Sequence, residues 1–485
     1  MATRLRGFSV LAICLVLAGC SDKIETQSER HPSQGSAKNL LLICIDTVRA
    51  DVFYGLGEGR KDALSAWQDS ALTFEGAIAP APWTVPTIAS VFTGLWPDYH
   101  GVGKLPGLRP SYFSSQPAVI NKGVPLFAEA AKEAGFSTTV VSASGWTLGP
   151  GSRLGMMSGF DESFAFETPL EDTDWKPLVA KLSELFERQP KNSANFYFMH
   201  LMDAHNMHVT AAATAWTKAR EPEGAVPAKA QAVSTQVRER DLAVAPPGVC
   251  EDPNADTCEV FSLYVSGVEA TRDAVAATLE TLQQRGMLDD TIVIVFSDHG
   301  EEFGEHGSFG HGTSLYQAAI HVPLMIWHPQ YEGMTVKEPA SLVDIAPTAA
   351  RWLDFDFVPN QWPGRYLDDY LDPSVESFSR LIYASGIGVG DLQMSAQKDN
   401  EKSIWNMVSD KSDYYDLMKD PHELKPFVTE KLVMRFDGHF LDYMQDAPTN
   451  EIETSSLSEA QIRRLQSIGY LQGRDVSSDS NSQRD

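Results

Sequence analysis

The stretch TIVIVFSDHGEEFGEHGSFGHG, residues 291–312, joins an apolar run to a loop crowded with ionisable side chains. The run at its start is typical of a strand buried on both faces of a parallel sheet. The sixteen residues from Ser297 to Gly312 then contain three His, four acidic residues and five Gly. Asp298 and His299 offer a hard oxygen ligand and a borderline nitrogen ligand, which suit Zn²⁺ or Mn²⁺ and permit Ca²⁺ or Mg²⁺. The stretch therefore predicts a metal site at the end of a buried strand.

Similar apolar runs recur along the chain, separated by segments of helix length. They are Asn39–Ile45, Ser137–Ser142, Asn195–Leu201 and Val322–Trp327. Helical spacing is found between them, over Lys122–Ala134 and Tyr264–Arg285. This alternation predicts an α/β fold with right-handed crossovers, in which a mostly parallel central sheet lies between helices. Ligands of such sheets bind beyond the carboxyl ends of the strands, so the residues just after each run are the first candidates for a site.

Three further candidates follow from that rule and from helix-entry signals. Asp46 comes directly after a strand, where its carboxylate either reaches a cation or caps a helix. Thr84 lies in WTVPTIASVFTG, residues 83–94, which reads as a loop entering a helix. There Thr84 is either a plain helix cap or a hydroxyl at the positive end of a helix dipole, which stabilises an alkoxide and an incoming anion. His205 follows the run that ends at Leu201 and is either a structural histidine or a substrate ligand and general acid.

These stretches, in this order, resemble the sulfatase family of the alkaline phosphatase superfamily over most of residues 39–470. Further landmarks of that family are Ser341–Thr348, Gly364-Arg365, Asp413–Leu417 with Asp420-Pro421, and Leu465–Leu471. The resemblance implies an α/β sandwich, a smaller C-terminal α+β subdomain and one bound divalent metal ion (Zn, Mn, Ca or Mg). It also assigns roles to single residues. The metal would be held by Asp46, Thr84, Asp298 and His299, with Thr84 as nucleophile and with His205 and His311 on the transferred or leaving group.

The chain departs from the sulfatase pattern at several of the expected positions. Sulfatases carry a Cys or Ser at the position of Thr84, which is converted to formylglycine, and the branched carbon of threonine cannot yield that group. Ile88 stands in place of an Arg, Thr47 in place of a second Asp, and Gly145–Thr147 in place of Lys-Trp-His. The remaining set is similar to the single-metal threonine enzymes of the same superfamily, which are phosphodiesterases and phosphoethanolamine or glycerophosphate transferases.

Three functions are therefore kept open. We favour a metal-dependent hydrolase of phosphate or sulfate esters, in which the metal-activated Thr84 hydroxyl attacks and forms a covalent intermediate. One alternative is a phosphoethanolamine- or glycerophosphate-type transferase that acts on envelope lipids or glycans. The other is a catalytically inactive sulfatase fold that serves as a binding protein.

The start of the chain predicts export and lipid anchoring. Residues 1–19 combine a basic beginning with an apolar stretch and so read as a signal peptide. Leu17 to Cys20 resembles the bacterial lipoprotein box, in which Cys20 is acylated after cleavage. We expect a protein of the bacterial cell envelope, held outside the cytoplasm, at the outer membrane by resemblance, through a lipid on Cys20.

The domain prediction divides the chain into five parts. They are a signal peptide (1–19), a flexible tether (20–38), a sulfatase-like catalytic domain (39–355), a C-terminal subdomain (356–472) and a disordered tail (473–485). Residues 206–262 form an insertion in the catalytic domain. Within it, Cys250 and Cys258 favour a disulfide over a metal pair, because the protein is exported.

Composition limits the partners. The 485 residues are 43% hydrophobic, which is typical of a folded globular protein. Lys and Arg total 39 against 65 Asp and Glu, giving a formal net charge of −26. A surface of that sign repels the phosphate backbone, so nucleic-acid binding is disfavoured. The expected partner, an anionic phosphate or sulfate ester, is what the sulfatase resemblance implies.

Overall fold

A computed structural model gives the architecture of the chain. It describes residues 37–57, 62–102, 119–144, 148, 152, 154–166, 175–190, 193–205, 237–252, 254–359, 362, 364–372, 374, 380–386, 388, 390–427, 436, 438–440 and 442–443. Several predicted features lie outside the described residues. These are the signal peptide, nearly all of the tether, residues 145–147, residues 206–236 of the insertion, the landmark at 465–471 and the tail.

The bounds of the regular elements are as follows. The strands are β1 (Asn39–Ile45), β2 (Leu72–Phe74), β3 (Ala77–Ile78), β4 (Ser137–Ser142), β5 (Glu162–Ala165), β6 (Asn195–Leu201), β7 (Thr291–Phe296), β8 (Glu302–Phe303), β9 (Phe309–Gly310), β10 (Leu324–Trp327), β11 (Met334–Val336), β12 (Ala340–Ser341), β13 (Ile382–Ala384), β14 (Gln393–Lys398), β15 (Glu401–Asn406) and β16 (Lys411–Asp416). The α-helices are α1 (Ala50–Gly57), α2 (Ser65–Gln68), α3 (Thr84–Thr93), α4 (Pro97–His100), α5 (Phe127–Glu133), α6 (Lys176–Arg188), α7 (Glu239–Ala243), α8 (Asp256–Gln284), α9 (Gln317–Ile320) and α10 (Ile345–Trp352). Short 3-10 helices occupy Leu288–Asp290, Leu342–Asp344 and Leu367–Tyr370.

Within the described residues, eight strands form the central sheet in the order β11-β2-β10-β7-β1-β6-β4-β5. The strands β7, β1, β6, β4 and β5 run parallel to one another. Every residue of β1, β6 and β7 is buried, as their continuous apolar sequences predict. The predicted bounds of β1, β4 and β6 are confirmed to the residue. This is the mostly parallel sheet expected from the alternation of apolar runs and helices.

Strand β10 runs antiparallel to both β7 and β2. A parallel return from β7 would need a crossover back to the opposite edge of the sheet, usually made by a helix. Residues 297–323 instead form a loop beyond the carboxyl end of β7, and Leu324 pairs with Phe296 at that same end. The loop that carries the predicted metal residues therefore also reverses the direction of the next strand.

Helices cover both faces of the sheet. On one face, alternate β1 residues such as Leu42 pack with Ile88 of α3, Phe127 of α5 and Ala349 of α10. On the other face, the intervening β1 residues pack with α1, α6 and α8, and those helices contribute Phe53, Leu182 and Val268 among others. Because side chains alternate across a strand, one continuous apolar run contributes side chains to two hydrophobic cores. The α/β sandwich is thereby confirmed.

Helix α8 begins at Asp256, whereas the helical spacing in the sequence started at Tyr264. The extra turns carry Cys258, which forms a disulfide with Cys250. The predicted disulfide is therefore confirmed, and it ties the start of α8 to the described part of the predicted insertion. The limits of the insertion remain a prediction.

A second sheet follows the catalytic part of the chain. Among the described residues it has four antiparallel strands in the order β13-β14-β15-β16. Its apolar face packs in a cluster with Trp96 and Tyr99 from the α3–α4 region, and Tyr383 and Met394 are its members on the sheet. The smaller C-terminal sheet agrees with the expected subdomain. No described helix has both the length and the apolar character needed to cross a membrane.

Candidate metal centre and active site

The centre of the site is built where β1 and β7 end side by side. Asp46 follows β1, and Asp298 and His299 follow β7, so all three lie at the carboxyl edge of the sheet. Ser297 fastens the two turns together, because its hydroxyl accepts the backbone N–H of Val48 at 2.8 Å and donates to His299 O at 2.7 Å. The parallel pairing of neighbouring strands thus brings together residues that are some 250 positions apart in the sequence.

Residue Thr47 takes an unusual backbone conformation between these two acids. Its φ is 61°, in the left-handed region that a β-branched residue rarely adopts. In that conformation its N–H donates to Asp298 Oδ1 at 3.3 Å, and its hydroxyl donates to Asp46 O at 2.7 Å. The Thr47 side chain is therefore engaged with its own turn, at the position where sulfatases carry a second Asp.

Thr84 is the first residue of α3, and the helix brings its hydroxyl to the two strand ends. The hydroxyl Oγ1 lies 3.5 Å from Asp46 Oδ2 and 3.3 Å from His299 Nε2. The residue before it, Trp83, is extended, so the helix begins at Thr84 itself. Ile88, at the position of the sulfatase Arg, is wholly buried in the core beneath α3.

Two carboxylate oxygens in this centre accept no hydrogen bond. They are Asp46 Oδ1 and Asp298 Oδ2, and both side chains are at most 1% exposed. His299 Nε2 lies 3.5 Å from each of them. The other ring nitrogen of His299 donates to Gly300 O at 2.8 Å, which leaves the Nε2 lone pair directed at the carboxylates.

The charges in the centre are unbalanced in a way that a cation would correct. Burial lowers the pKa of His299 to about 3, helped by the nearby charge of His311, so the ring is neutral at physiological pH. Burial and the neighbouring Asp46 carboxylate raise the pKa of Asp298 well above its ordinary value. Two buried acids with unsatisfied oxygens and a neutral imidazole form a donor set that fits Zn²⁺, Mn²⁺ or another divalent ion.

His200 is a site residue to which the sequence assigned no role. Its Nε2 donates to Asp46 Oδ2 at 2.9 Å, and the ring is fully buried. Burial alone would raise the pKa of Asp46, but the His200 hydrogen bond and the charges of nearby histidines lower it well below its usual range. His200 stands inside the apolar run Asn195–Leu201, where a polar residue facing the next strand was the available signal.

His205 and His311 lie beside the centre. The His311 ring is 4.4 Å from that of His299 and 5.4 Å from that of His205, measured between centroids. His311 Nδ1 lies 3.1 Å from a carboxylate oxygen of Glu301, a second residue missed in the sequence. Burial opposes protonation of His311, but the Glu301 carboxylate raises its pKa above the ordinary value.

The third histidine of the loop faces elsewhere. His306 stacks on Tyr316 with 3.6 Å between ring centroids, and its Nε2 bonds to the backbone oxygen of His422. It therefore joins the loop to the C-terminal part of the chain. All six residues predicted for the site, namely Asp46, Thr84, His205, Asp298, His299 and His311, are brought together, and their chemical roles remain predictions.

A family model described as Sulfatase matches residues 38–355. The chain belongs to the sulfatase family. It is 26% identical to an arylsulfatase of Clostridium perfringens over 39% of each protein, so the match spans well under half of that relative. It is 22% identical to an ulvan-active sulfatase of Formosa agariphila over 85% of this chain and 81% of that protein.

Solved structures share the fold of this sulfatase-family chain. A 2-O GAG sulfatase superposes with a TM-score of 0.65 at 16% identity, covering 88% of this chain and 96% of the other. A phosphonate monoester hydrolase of Agrobacterium radiobacter gives 0.58 at 16% identity, covering 87% and 100%. At these identities the likeness concerns the fold, which thus carries both sulfate-ester and phosphonate-ester hydrolysis in other proteins.

Proposed function

We propose that this chain is a metal-dependent hydrolase of sulfate or phosphate esters with Thr84 as its attacking group. The observation that carries the proposal is the pair of buried carboxylate oxygens that accept no hydrogen bond, on Asp46 and Asp298, next to the Thr84 hydroxyl and His299 Nε2. Membership of the sulfatase family supports the ester hydrolase class.

The metal would be held by Asp46, Asp298 and His299, with the Thr84 hydroxyl within reach as a further ligand. When bound, a divalent cation lowers the pKa of a coordinated hydroxyl and supplies positive charge to the oxygens of the transferred group. These donors fit a divalent ion, since they are buried and since Asp46 Oδ1 and Asp298 Oδ2 accept no hydrogen bond.

The chemistry of the chain's own residues then follows. Thr84 Oγ1 forms a bond to the sulfur or phosphorus as the bond to the leaving oxygen breaks, and its proton leaves to water, since the pKa of Asp46 lies well below its usual range. The N-terminus of α3 stabilises the anionic group that lies against it. Water then attacks the esterified Thr84 and releases sulfate or phosphate. Formylglycine plays no part, because a threonine cannot be converted to it.

His311 and His205 complete the reaction as proton donors and anion contacts. Glu301 holds Nδ1 of His311 and orients its ring. A protonated His311 would contact a nonbridging oxygen, and His205, whose ring centroid lies 5.4 Å from that of His311, would protonate the leaving oxygen.

The substrate class we propose is an anionic ester on a saccharide or small organic alcohol. Relatives and neighbours whose names specify ulvan, GAG or a phosphonate monoester support this class. We further propose that the protein acts in the cell envelope, anchored through a lipid on Cys20.

The test is an ester panel run on the full chain before and after metal removal. Aryl sulfate, phosphomonoester and phosphodiester substrates are offered to chelator-treated protein and to protein reloaded with Mn²⁺ or Zn²⁺. We expect metal-dependent turnover of at least one ester. Asp298→Asn should lose the bound ion and about 100-fold or more in rate, because metal stabilisation of the transition state is worth several kcal/mol.

The matched control is Asp289→Asn, the same substitution before the opposite end of β7, which should behave as the parent chain. Turnover that survives chelation, or that is equal in Asp298→Asn, would contradict the metal role. A chain that binds the ion and turns over no ester would favour the inactive, ligand-binding alternative.

A further inference from the structure

A buried thiol lies directly behind the metal centre. Cys44 is the free cysteine of the described residues, and it is fully buried on β1, two positions before Asp46. Residues two apart on a strand face the same side of the sheet. The Cys44 thiol and the Asp46 carboxylate therefore point to the same face, the one covered by α3.

The strand register places two further ligand-type residues around this thiol. Cys44 is paired with His200 on β6 and with Phe296 on β7. Asp298 comes two residues after Phe296, beyond the end of β7. One donor atom each of Cys44, His200 and Asp298 lie within 4.8 Å of one another, and all three side chains are fully buried.

The donor types in this cluster differ from those of the first centre. Thiolate and imidazole prefer thiophilic ions such as Zn²⁺ and Cd²⁺, whereas Mg²⁺, Ca²⁺ and Mn²⁺ prefer oxygen ligands. Asp298 adds a carboxylate oxygen that accepts no hydrogen bond and so is free to contact an ion. A buried thiol with an imidazole and an unpartnered carboxylate beside it is a more specific arrangement than a core cysteine needs.

We propose that Cys44, His200 and Asp298 form a second cation site, selective for a thiophilic divalent ion. On binding, a sulfur–metal bond replaces the S–H bond of Cys44, and the proton is released to solvent. Asp298 belongs to both clusters, and His200 also holds Asp46. An ion in the second site therefore draws Asp298 and His200 away from their roles in the first, and it acts as an inhibitor of the hydrolase.

The binding test is optical and needs no substrate. Metal-free full-length protein is titrated with Cd²⁺, and the thiolate-to-cadmium charge-transfer band in the ultraviolet is recorded beside that of Cys44→Ser. The parent chain should show a band that saturates and that Cys44→Ser lacks. Both proteins contain the same other cysteines, so the difference spectrum belongs to position 44.

A second variant and a second ion distinguish loss of the cadmium site from a folding defect. Cys44→Ala fits the apolar cluster to which Cys44 belongs, and both variants should still bind Mn²⁺, measured by the loss of its free electron-spin signal. Equal bands in parent and variant proteins, or no band in the parent chain, would overturn the proposal.

The functional consequence is measured separately. Cd²⁺ should inhibit the Mn²⁺-loaded parent enzyme at concentrations at least tenfold lower than those that inhibit Cys44→Ala. Equal inhibition of both would overturn the link between the two sites. If no ester is hydrolysed, the proposed function fails, and the cadmium band still decides whether the second site exists.

Discussion

At the scale of single residues, the Glu301 carboxylate favours the protonated form of His311. The carboxylate is 1% exposed and lies 3.1 Å from His311 Nδ1, so it fixes the ring and stabilises its charged form. Glu301→Gln keeps the shape and removes the charge. We expect kcat to fall by about 10- to 100-fold with little change in KM, because a neutral His311 would lose its charged contact with the nonbridging oxygen in the transition state.

A double-mutant cycle with His311→Gln separates this role from a general loss of structure. If Glu301 acts through His311, the double variant should be little slower than His311→Gln alone, because the two residues work as one unit. Additive losses from the two substitutions would show that Glu301 acts elsewhere.

Some of these residues could be read from the sequence and some could not. Asp46, Asp298 and His299 stand directly after apolar runs, and topology alone brings such positions to one edge of the sheet. His200 lies inside an apolar run, where burial is the simplest expectation. Its function depends on a hydrogen bond to Asp46 on the neighbouring strand, and that contact is visible only in the paired register.

At the scale of elements, Ser385 and Gly386 of the C-terminal part are hydrogen-bonded to residues just before the start of α3. The Trp83 indole N–H donates to Gly386 O at 2.7 Å, and the Ser385 N–H donates to Pro80 O at 3.0 Å. The Gly388 N–H donates to Gly312 O at 2.8 Å, next to His311. Three separate parts of the chain are thus joined by hydrogen bonds next to Thr84.

Trp83→Phe tests the hydrogen bond from Trp83 to Gly386 O, since phenylalanine fills much of the same space and has no donor. We expect a loss of about 0.5–1.5 kcal/mol in stability from the hydrogen bond, together with a several-fold drop in kcat and faster hydrogen exchange in residues 385–392. The control is Trp327→Phe, which removes an indole bond of the same kind, to Trp67 O at 3.0 Å. That variant should lose similar stability and keep its kcat, and equal losses of kcat in both would contradict a positioning role for Trp83.

Contacts between distant parts of the chain explain which elements could not be predicted from the sequence. The apolar runs β1 and β6 were predicted to the residue because burial on both faces leaves an unbroken pattern. The bounds of β4 were also predicted to the residue, although only Val140 and Val141 of this strand are apolar. The direction of β10 was not predictable from its own sequence. It depends on the edge of the sheet at which the loop 297–323 ends. Two-residue strands such as β3 and β12 carry no period at all and exist through their partners.

At the scale of the whole molecule, the negative charge opposes the approach of an anionic substrate. The formal net charge is −26, and its field reaches about 30 Å at 0.01 M salt but about 8 Å at 0.15 M. We expect kcat/KM for a sulfate or phosphate ester to rise over that range, and to rise more for a dianionic than for a monoanionic substrate. The check is initial-rate kinetics against NaCl concentration, with kcat at saturating substrate as the control. A fall in kcat/KM with salt would mean that a local positive field outweighs the net charge.

The most direct measurement compares Thr84→Ser with Thr84→Val in metal-loaded protein. Serine keeps the hydroxyl at the start of α3, whereas valine keeps the branched shape and removes the oxygen. Our account predicts that Thr84→Ser retains ester hydrolysis within about tenfold of the parent chain, and that Thr84→Val loses ~10³-fold or more while still binding the ion. Hydrolysis by Thr84→Val at the rate of the parent chain would show that the threonine hydroxyl is not the attacking group.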